Sequence, residues 1–181
     1  GIAHHVFLEF VSLAQVANPA SLSQEADRLE REQLLTSDQR AALDLAALAT
    51  FWGSEIGHKI QANSKQVHRE LSFTARFALK ELADLEIERE GATLADEFVV
   101  VQGVADLVVL LPAEIWLVDF KTDSVAGEDL AGKVKLYEPQ MKLYAVTLER
   151  IYQRPVTKRW LHFLNLRKTV CCPPPAASQP A

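Results

Sequence analysis

Hydrophobic positions alternate between two spacings along this chain. Up to about residue 62 they recur every three to four positions, as on one face of a helix. From residue 63 they gather in short β-branched runs, and between residues 128 and 153 the helical spacing returns. Val6, Phe10, Leu13, Ala14 and Ala17 make the first apolar stripe, and Asn18-Pro19 closes that helix. Ser21 and Gln24 have the spacing of a capping box that opens a second helix running to about Leu35. Thr36 and Gln39 repeat the signal and open a third helix through "RAALDLAALATF", and "SEIGHKI" makes a short fourth.

"QVHRELSFTARF" alternates as a strand does, and the polar residues 80–97 follow as a loop or helical excursion. "FVVVQGVADLVVLL" reads as a buried strand with Gly103 marking a bulge. "PAE" turns the chain into the strand "IWLVDFKT". A long amphipathic helix follows, which Pro139 should kink or interrupt, and "VTKRWLHFLNL" is the last strand. Residues 169–181, ending in "CCPPPAASQPA", lack core formers and read as a disordered Pro-rich tail. Helices, three strands, a helix and a strand in that order predict an α/β domain with a central mixed sheet flanked by helices. Its expected bounds are 1–168, with 1–62 mainly helical and 63–168 the α/β core.

Composition narrows the class. The 181 residues suit one domain, and 49% hydrophobic with 24% charged content is that of a globular protein. No apolar run has membrane-spanning length and no secretory signal is present. A chain that starts at Gly1, as if already inside a helix, reads as a domain cut from a longer protein or equally as one with a processed N-terminus. Cys171 and Cys172 are neighbours, unsuited to bridge each other and too few for a four-cysteine cluster, so a reducing cytoplasmic setting is expected. The net charge of −5 advertises no general affinity for nucleic acid.

Candidate chemistry concentrates in "WLVDFKTD", residues 116–123. Alternation puts Ile115, Leu117, Asp119 and Lys121 on one face and Trp116, Val118 and Phe120 on the other. Both faces begin apolar, so the acid and the lysine sit at the end of a strand buried on both sides, where charges are costly. Asp106, after "VVVQGVA", ends another hydrophobic run, and adjacent strands can bring its carboxylate within a few ångströms of Asp119. Two such carboxylates repel unless one takes a proton or a hard divalent cation lies between them. The same spacing also suits a plain buried ion pair that terminates a strand. His5, with Glu9 one turn later, and Gln140 with Tyr144, with Tyr137 three positions before, share helical faces and are open to structural or functional use. His58, His68 and His162 have no partner spacing.

"GIAHH", "QGVAD", "VDFKTD" and "YEPQMKLYA", in this order, resemble the RecB-like nuclease domain of the PD-(D/E)XK superfamily, as found at the C-terminal end of AddA/RecB-type helicase–nuclease subunits. The resemblance runs from Gly1 to about Leu166 and implies a restriction-endonuclease-like core. It implies a metal held by His5, Asp106, Asp119 and the Phe120 carbonyl, with Lys121, Asp119, Asp106, Gln140 and Tyr144 serving catalysis. Glu70, in "HRELSF", matches the family's "RE-x-x-F" strand and equally suits a surface carboxylate. The implied cofactor is Mg2+, replaceable by Mn2+, with no iron–sulfur cluster. The implied activity is that of a deoxyribonuclease, the exonuclease of an ATP-dependent helicase–nuclease in double-strand break repair. Implied partners are single- or double-stranded DNA ends, an upstream helicase region and a second subunit, in the bacterial cytoplasm without a membrane. A non-catalytic DNA-binding or assembly module of the same fold and a self-standing endonuclease are the alternatives. Lys133, Lys135, Lys142, Lys158, Arg159, Arg167 and Lys168 are candidates for a local basic patch, or for a solvated face balanced by acids.

Overall fold

The computed structural model describes residues 1–84, 98–123 and 130–172. The later part of the polar stretch, residues 85–97, the start of the long helix and the proline-rich segment 173–181 lie outside the described residues. Five helices come first: α1 (Ile2–Phe10), α2 (Pro19–Arg31), α3 (Ser37–Ala41), α4 (Leu45–Trp52) and α5 (Glu55–Ala62). Then come β1 (Val67–Ala78), α6 (Leu79–Asp84), β2 (Phe98–Leu110), β3 (Ile115–Lys121), α7 (Leu130–Tyr152), β4 (Val156–Phe163) and β5 (Lys168–Cys172).

The strands form one mixed sheet in the order β1-β2-β3-β4-β5. β1–β2, β2–β3 and β4–β5 pair antiparallel, whereas β3 and β4 are parallel and joined by the crossover helix α7. Helices cover both faces. Phe7, Leu22, Leu48, Phe51 and Trp52 from the N-terminal helices pack on Leu107, Val109, Val118 and Phe120. On the opposite face Met141, Ala145 and Leu148 of α7 pack on Val108, Ile115, Leu117, Leu161 and Phe163. β3 is therefore buried on both sides, as its sequence requires. The expected restriction-endonuclease-like α/β architecture is the one found.

Several local expectations change. The buried residues of α1 are Ala3, Phe7 and Leu8, while Phe10 is exposed. The helix stops at Phe10 because Val11 is extended and the next N–H, of Ser12, is bonded to Glu25 (2.7 Å). α2 is capped three residues before the expected Ser21: Asn18 accepts the Ser21 N–H (2.9 Å) and Pro19 occupies the first turn, where its missing N–H costs nothing. The Thr36–Gln39 capping box is present, but the expected third helix breaks after Ala41 and Asp44 caps a new one, α4. α7 runs unbroken through Pro139. The chain turns after Phe163 and returns as β5, so residues 169–172 belong to the sheet rather than to the tail. Buried Cys172 anchors that strand.

Gly103 is no bulge. It pairs in regular register with Phe73, and a Cβ there would lie 2.5 Å from the Phe73 ring, so glycine is required for the close approach of that aromatic. The irregularity of the β1–β2 ribbon lies elsewhere, at Glu70, whose φ of 46° is in the left-handed region. Val67 and Arg69 point to the N-terminal helices, whereas Leu71, Phe73 and Phe77 point to the α7 side. β2 switches in step: Leu107 and Val109 join the N-terminal core, and Ala105, Val101 and Val99 join the α7 side. Both strands exchange faces at one rung, where Glu70 stands opposite Asp106.

Candidate active site

Asp106 also marks where β2 leaves β3. Regular pairing runs from Leu110↔Ile115 to Leu107↔Val118 and ends there. The next rung would set Asp106 against Asp119. Instead Asp106 Oδ2 accepts the Phe120 backbone N–H at 2.7 Å. The acid that the sequence placed at the inner end of its strand thus sits mid-strand, at the fork of the sheet.

Three side chains converge on the fork. His5 Nδ1 lies 3.5 Å from Asp106 Oδ1 and 3.9 Å from Glu70 Oε1. One ligand atom from each of His5, Glu70 and Asp106 fits within 4.8 Å of the other two. His5 is held there by the docking of α1 at both ends. Arg69, next to Glu70 in β1, donates to the Leu8 carbonyl (3.3 Å) and the Val11 carbonyl. At the other end neighbouring His4 accepts the Asp44 N–H (2.9 Å), and a Cβ on Gly1 would meet Thr122 Oγ1 at 3.0 Å. His4 is thus a tether, and the small residue four before His5 lets the helix start abut the end of β3.

The electrostatics of this cluster are unbalanced. The hydrogen bond with Asp106 raises the His5 pKa against its burial. Burial raises that of Glu70, and the charges of Asp106 and of Glu9, one turn from His5, push it further. Two carboxylates and one imidazole from three elements fit a hard divalent cation: donors about 2.0–2.2 Å from one ion stand roughly 3–4.4 Å apart.

The second half of the site lies on the α7 face of β3. Asp119 is 2% exposed, and its Oδ2 lies 2.7 Å from Lys121 Nζ. Lys121 apart, that oxygen has no donor among the described residues. Lys121 donates to Gln140 Oε1 (3.0 Å), and the Gln140 amide points back to Asp119 Oδ1 (3.4 Å). Burial, followed by the charge of Asp106, pushes Asp119 up to about 6, with Lys121 pulling against both. Asp119 does not join the close His5–Glu70–Asp106 cluster, because its carboxylate is turned toward the lysine.

The predicted residues therefore divide. His5, Asp106, Asp119, Lys121 and Gln140 meet at the fork, and Phe120 meets it through its backbone N–H while its ring packs on Phe51 (4.9 Å) in the N-terminal core. Tyr144 packs its ring edge-to-face on Phe73 (4.8 Å). Glu70, left open by the sequence, is the third member of the cluster. Tyr137 stands out in the sequence only by its spacing: its ring centroid lies 4.0 Å from Lys121 Nζ and its hydroxyl donates to Asp123. That hydrogen bond pushes Tyr137 up to about 12 and lowers Asp123. Three of the seven basic candidates are engaged elsewhere. Arg159 is buried beneath α7, Lys133 lies 3.5 Å from Asp123, and Arg167 lies 3.5 Å from Asp44. His162 is a neutral core histidine, lowered to about 4 by burial and bonded to Thr169 (2.8 Å).

A forked mixed sheet carrying two aspartates and a lysine, with a histidine from the first helix, defines a nuclease-type α/β domain. The model of the PD-(D/E)XK nuclease superfamily matches residues 1–177, and the chain belongs to that superfamily. It is similar to an ATP-dependent helicase/nuclease subunit of Bacillus licheniformis, 33% identical over 173 residues, covering 91% of this chain and 13% of that one. The proteins of the same description from Carboxydothermus hydrogenoformans and Moorella thermoacetica are 30% and 32% identical, covering 94% and 91% of this chain. The chain spans only 11–14% of the length of these curated relatives. No described helix is long and apolar enough to cross a membrane.

Proposed function

We propose that this chain hydrolyses DNA phosphodiester bonds in a reaction that depends on a divalent cation, Mg2+ by preference and Mn2+ in its place. The observation that carries the reading is the convergence of His5, Glu70 and Asp106 donor atoms beside the buried Asp119–Lys121 pair. Membership of a nuclease superfamily supports it. The ion would be held by His5, Asp106 and Glu70; only the family pattern adds Asp119, turned here toward Lys121, and the Phe120 carbonyl. When bound, it supplies Lewis-acid polarisation of a phosphoryl oxygen and lowers the pKa of water.

The chain's own residues do the remaining work. Lys121 presents an ammonium at the fork, where it orients the attacking water and offsets negative charge on the phosphate. Asp119 and Gln140 aim that ammonium from two sides. Tyr144 acts through Phe73, steadying the ribbon that carries Glu70 and Asp106. The imidazole makes the donor set softer than one of oxygens alone, which favours Mn2+ as a substitute.

The setting is proposed by analogy with the relatives: a cytoplasmic exonuclease joined to an upstream helicase region, with a second subunit, acting on DNA ends. The test is digestion of linear single- and double-stranded DNA by the full chain with Mg2+, with Mn2+ and with chelator. Cleavage in both ions, none in chelator, and none from Asp119→Asn with an unchanged far-UV spectrum is expected. Equal cleavage with chelator present overturns the reading.

A further inference from the structure

Lys121 is enclosed on three sides. Asp119 Oδ2 lies 2.7 Å away, Gln140 Oε1 accepts at 3.0 Å, and the Tyr137 ring centroid is 4.0 Å from Nζ. The first two contacts come from groups already placed in the site; the third does not. Tyr137 lies on α7 about one turn before Gln140, so both reach the same lysine from one helix. A flexible four-carbon side chain whose head must stay in one place needs such contacts, because each free rotamer diverts it from the reacting geometry.

The ring is itself anchored. The Tyr137 hydroxyl donates to Asp123 Oδ2, and Lys133, one turn earlier on α7, approaches the same oxygen at 3.5 Å. Asp123 is in turn fixed through its backbone: Asn165, in the β4–β5 turn, donates to the Thr122 and Asp123 carbonyls at 2.8 and 3.0 Å. The route runs from the β4–β5 turn through Asp123 and Tyr137 to Lys121. The acid two residues past the lysine clamps the α7 tyrosine on which that lysine rests.

We infer that Tyr137, held by Asp123, is a positioning residue for Lys121, acting through the ring face that the ammonium contacts rather than through its hydroxyl. The inference deepens the nuclease reading and depends on it only for its kinetic arm.

The direct test is the metal-free full chain with 13C-labelled lysine, in the absence of DNA. The methylene next to Lys121 Nζ, assigned with Lys121→Arg, should be displaced upfield by the Tyr137 ring current. The displacement should persist in Tyr137→Phe and vanish in Tyr137→Leu. In Mg2+, Tyr137→Leu should lose about 100-fold in kcat with KM for DNA nearly unchanged, and Tyr137→Phe should recover all but roughly threefold. An unmoved Lys121 resonance in Tyr137→Leu, or wild-type kcat in that variant, overturns the inference. If Tyr137→Leu does not fold, Asp123→Ala, at a side chain 36% exposed, decides instead. It removes the same hydrogen bond as Tyr137→Phe and should match that variant, with the displacement reduced but present and kcat about threefold lower, and wild-type values for both overturn the inference. If the wild type cleaves nothing, the nuclease reading falls, and the metal-free spectrum still decides whether Tyr137 holds the lysine.

Discussion

On the α7 side of the fork an acid and a lysine lie 2.7 Å apart, nearly out of solvent, with Gln140 bonded to both. On the α1 side two carboxylates share one imidazole, and their side chains keep more contact with water. The first half is neutral in itself and held by neighbours on three sides. The second carries surplus negative charge on a backbone bent into the left-handed region at Glu70. A preformed charged pair needs no ligand, whereas an acidic cluster of this kind needs one to be stable. One half is therefore built to aim a cation of the protein, and the other to take a cation from solution.

The largest expected effect separates these roles. Lys121→Ala should lower cleavage by about 10³-fold or more while the affinity for Mn2+, measured calorimetrically, stays nearly the same. Asp106→Ala should lose cleavage equally and also weaken metal binding by at least 10- to 100-fold. Equal metal affinities in the two variants would erase the distinction between the halves.

A smaller effect should appear in pH dependence without metal. The folded-state pKa of Asp119, about 6, is above the ordinary aspartate value, so its contribution is full below about pH 4 and is lost as pH rises through 6. His5, also raised, contributes fully below about 6.5 and loses that contribution as pH rises through its folded value. In chelator the melting temperature of wild type relative to Asp119→Asn should therefore fall from pH 4 toward neutrality; buried His162, lowered to about 4, acts in the opposite direction but equally in both. Added Mg2+ should restore more stability at pH 7.5 than at pH 5, because its ligands must be deprotonated. A stabilisation by Mg2+ that is independent of pH would place the ion elsewhere.

The smallest effect concerns the bend. Glu70→Gly relieves the left-handed backbone and should raise metal-free stability by about 1 kcal/mol relative to Glu70→Gln, which removes only the charge. Both should bind Mn2+ more weakly than wild type. A glycine variant no more stable than the glutamine variant in denaturant melts would show that the bend is unstrained.

Local signals carried much of this protein into view. The Thr36–Gln39 box, the strands around Phe73, Ala105 and Val118, and the long helix through Met141 are written in spacing and residue type, since helix caps and two-faced burial act over a few residues. The order of "GIAHH", "QGVAD", "VDFKTD" and "YEPQMKLYA" carried the family. Alternation likewise placed Asp119 and Lys121 together on one face of β3.

Other features required the assembled chain. β5 was hidden because "KTVCC" has no apolar alternation and becomes a strand only by pairing with β4. Arg159 looked like a surface cation until α7 covered it. The paired change of face at Glu70 and Asp106 leaves no trace in the periodicity, because Val67, Leu71, Phe73 and Phe77 keep a single parity straight through it. Sequence alone thus determined most of the elements, the family and the lysine–aspartate pair, all set by neighbours along the chain. Tertiary structure decided which carboxylate stands beside His5 and which ring lies against Lys121, because those contacts join residues tens of positions apart and depend on where the sheet forks.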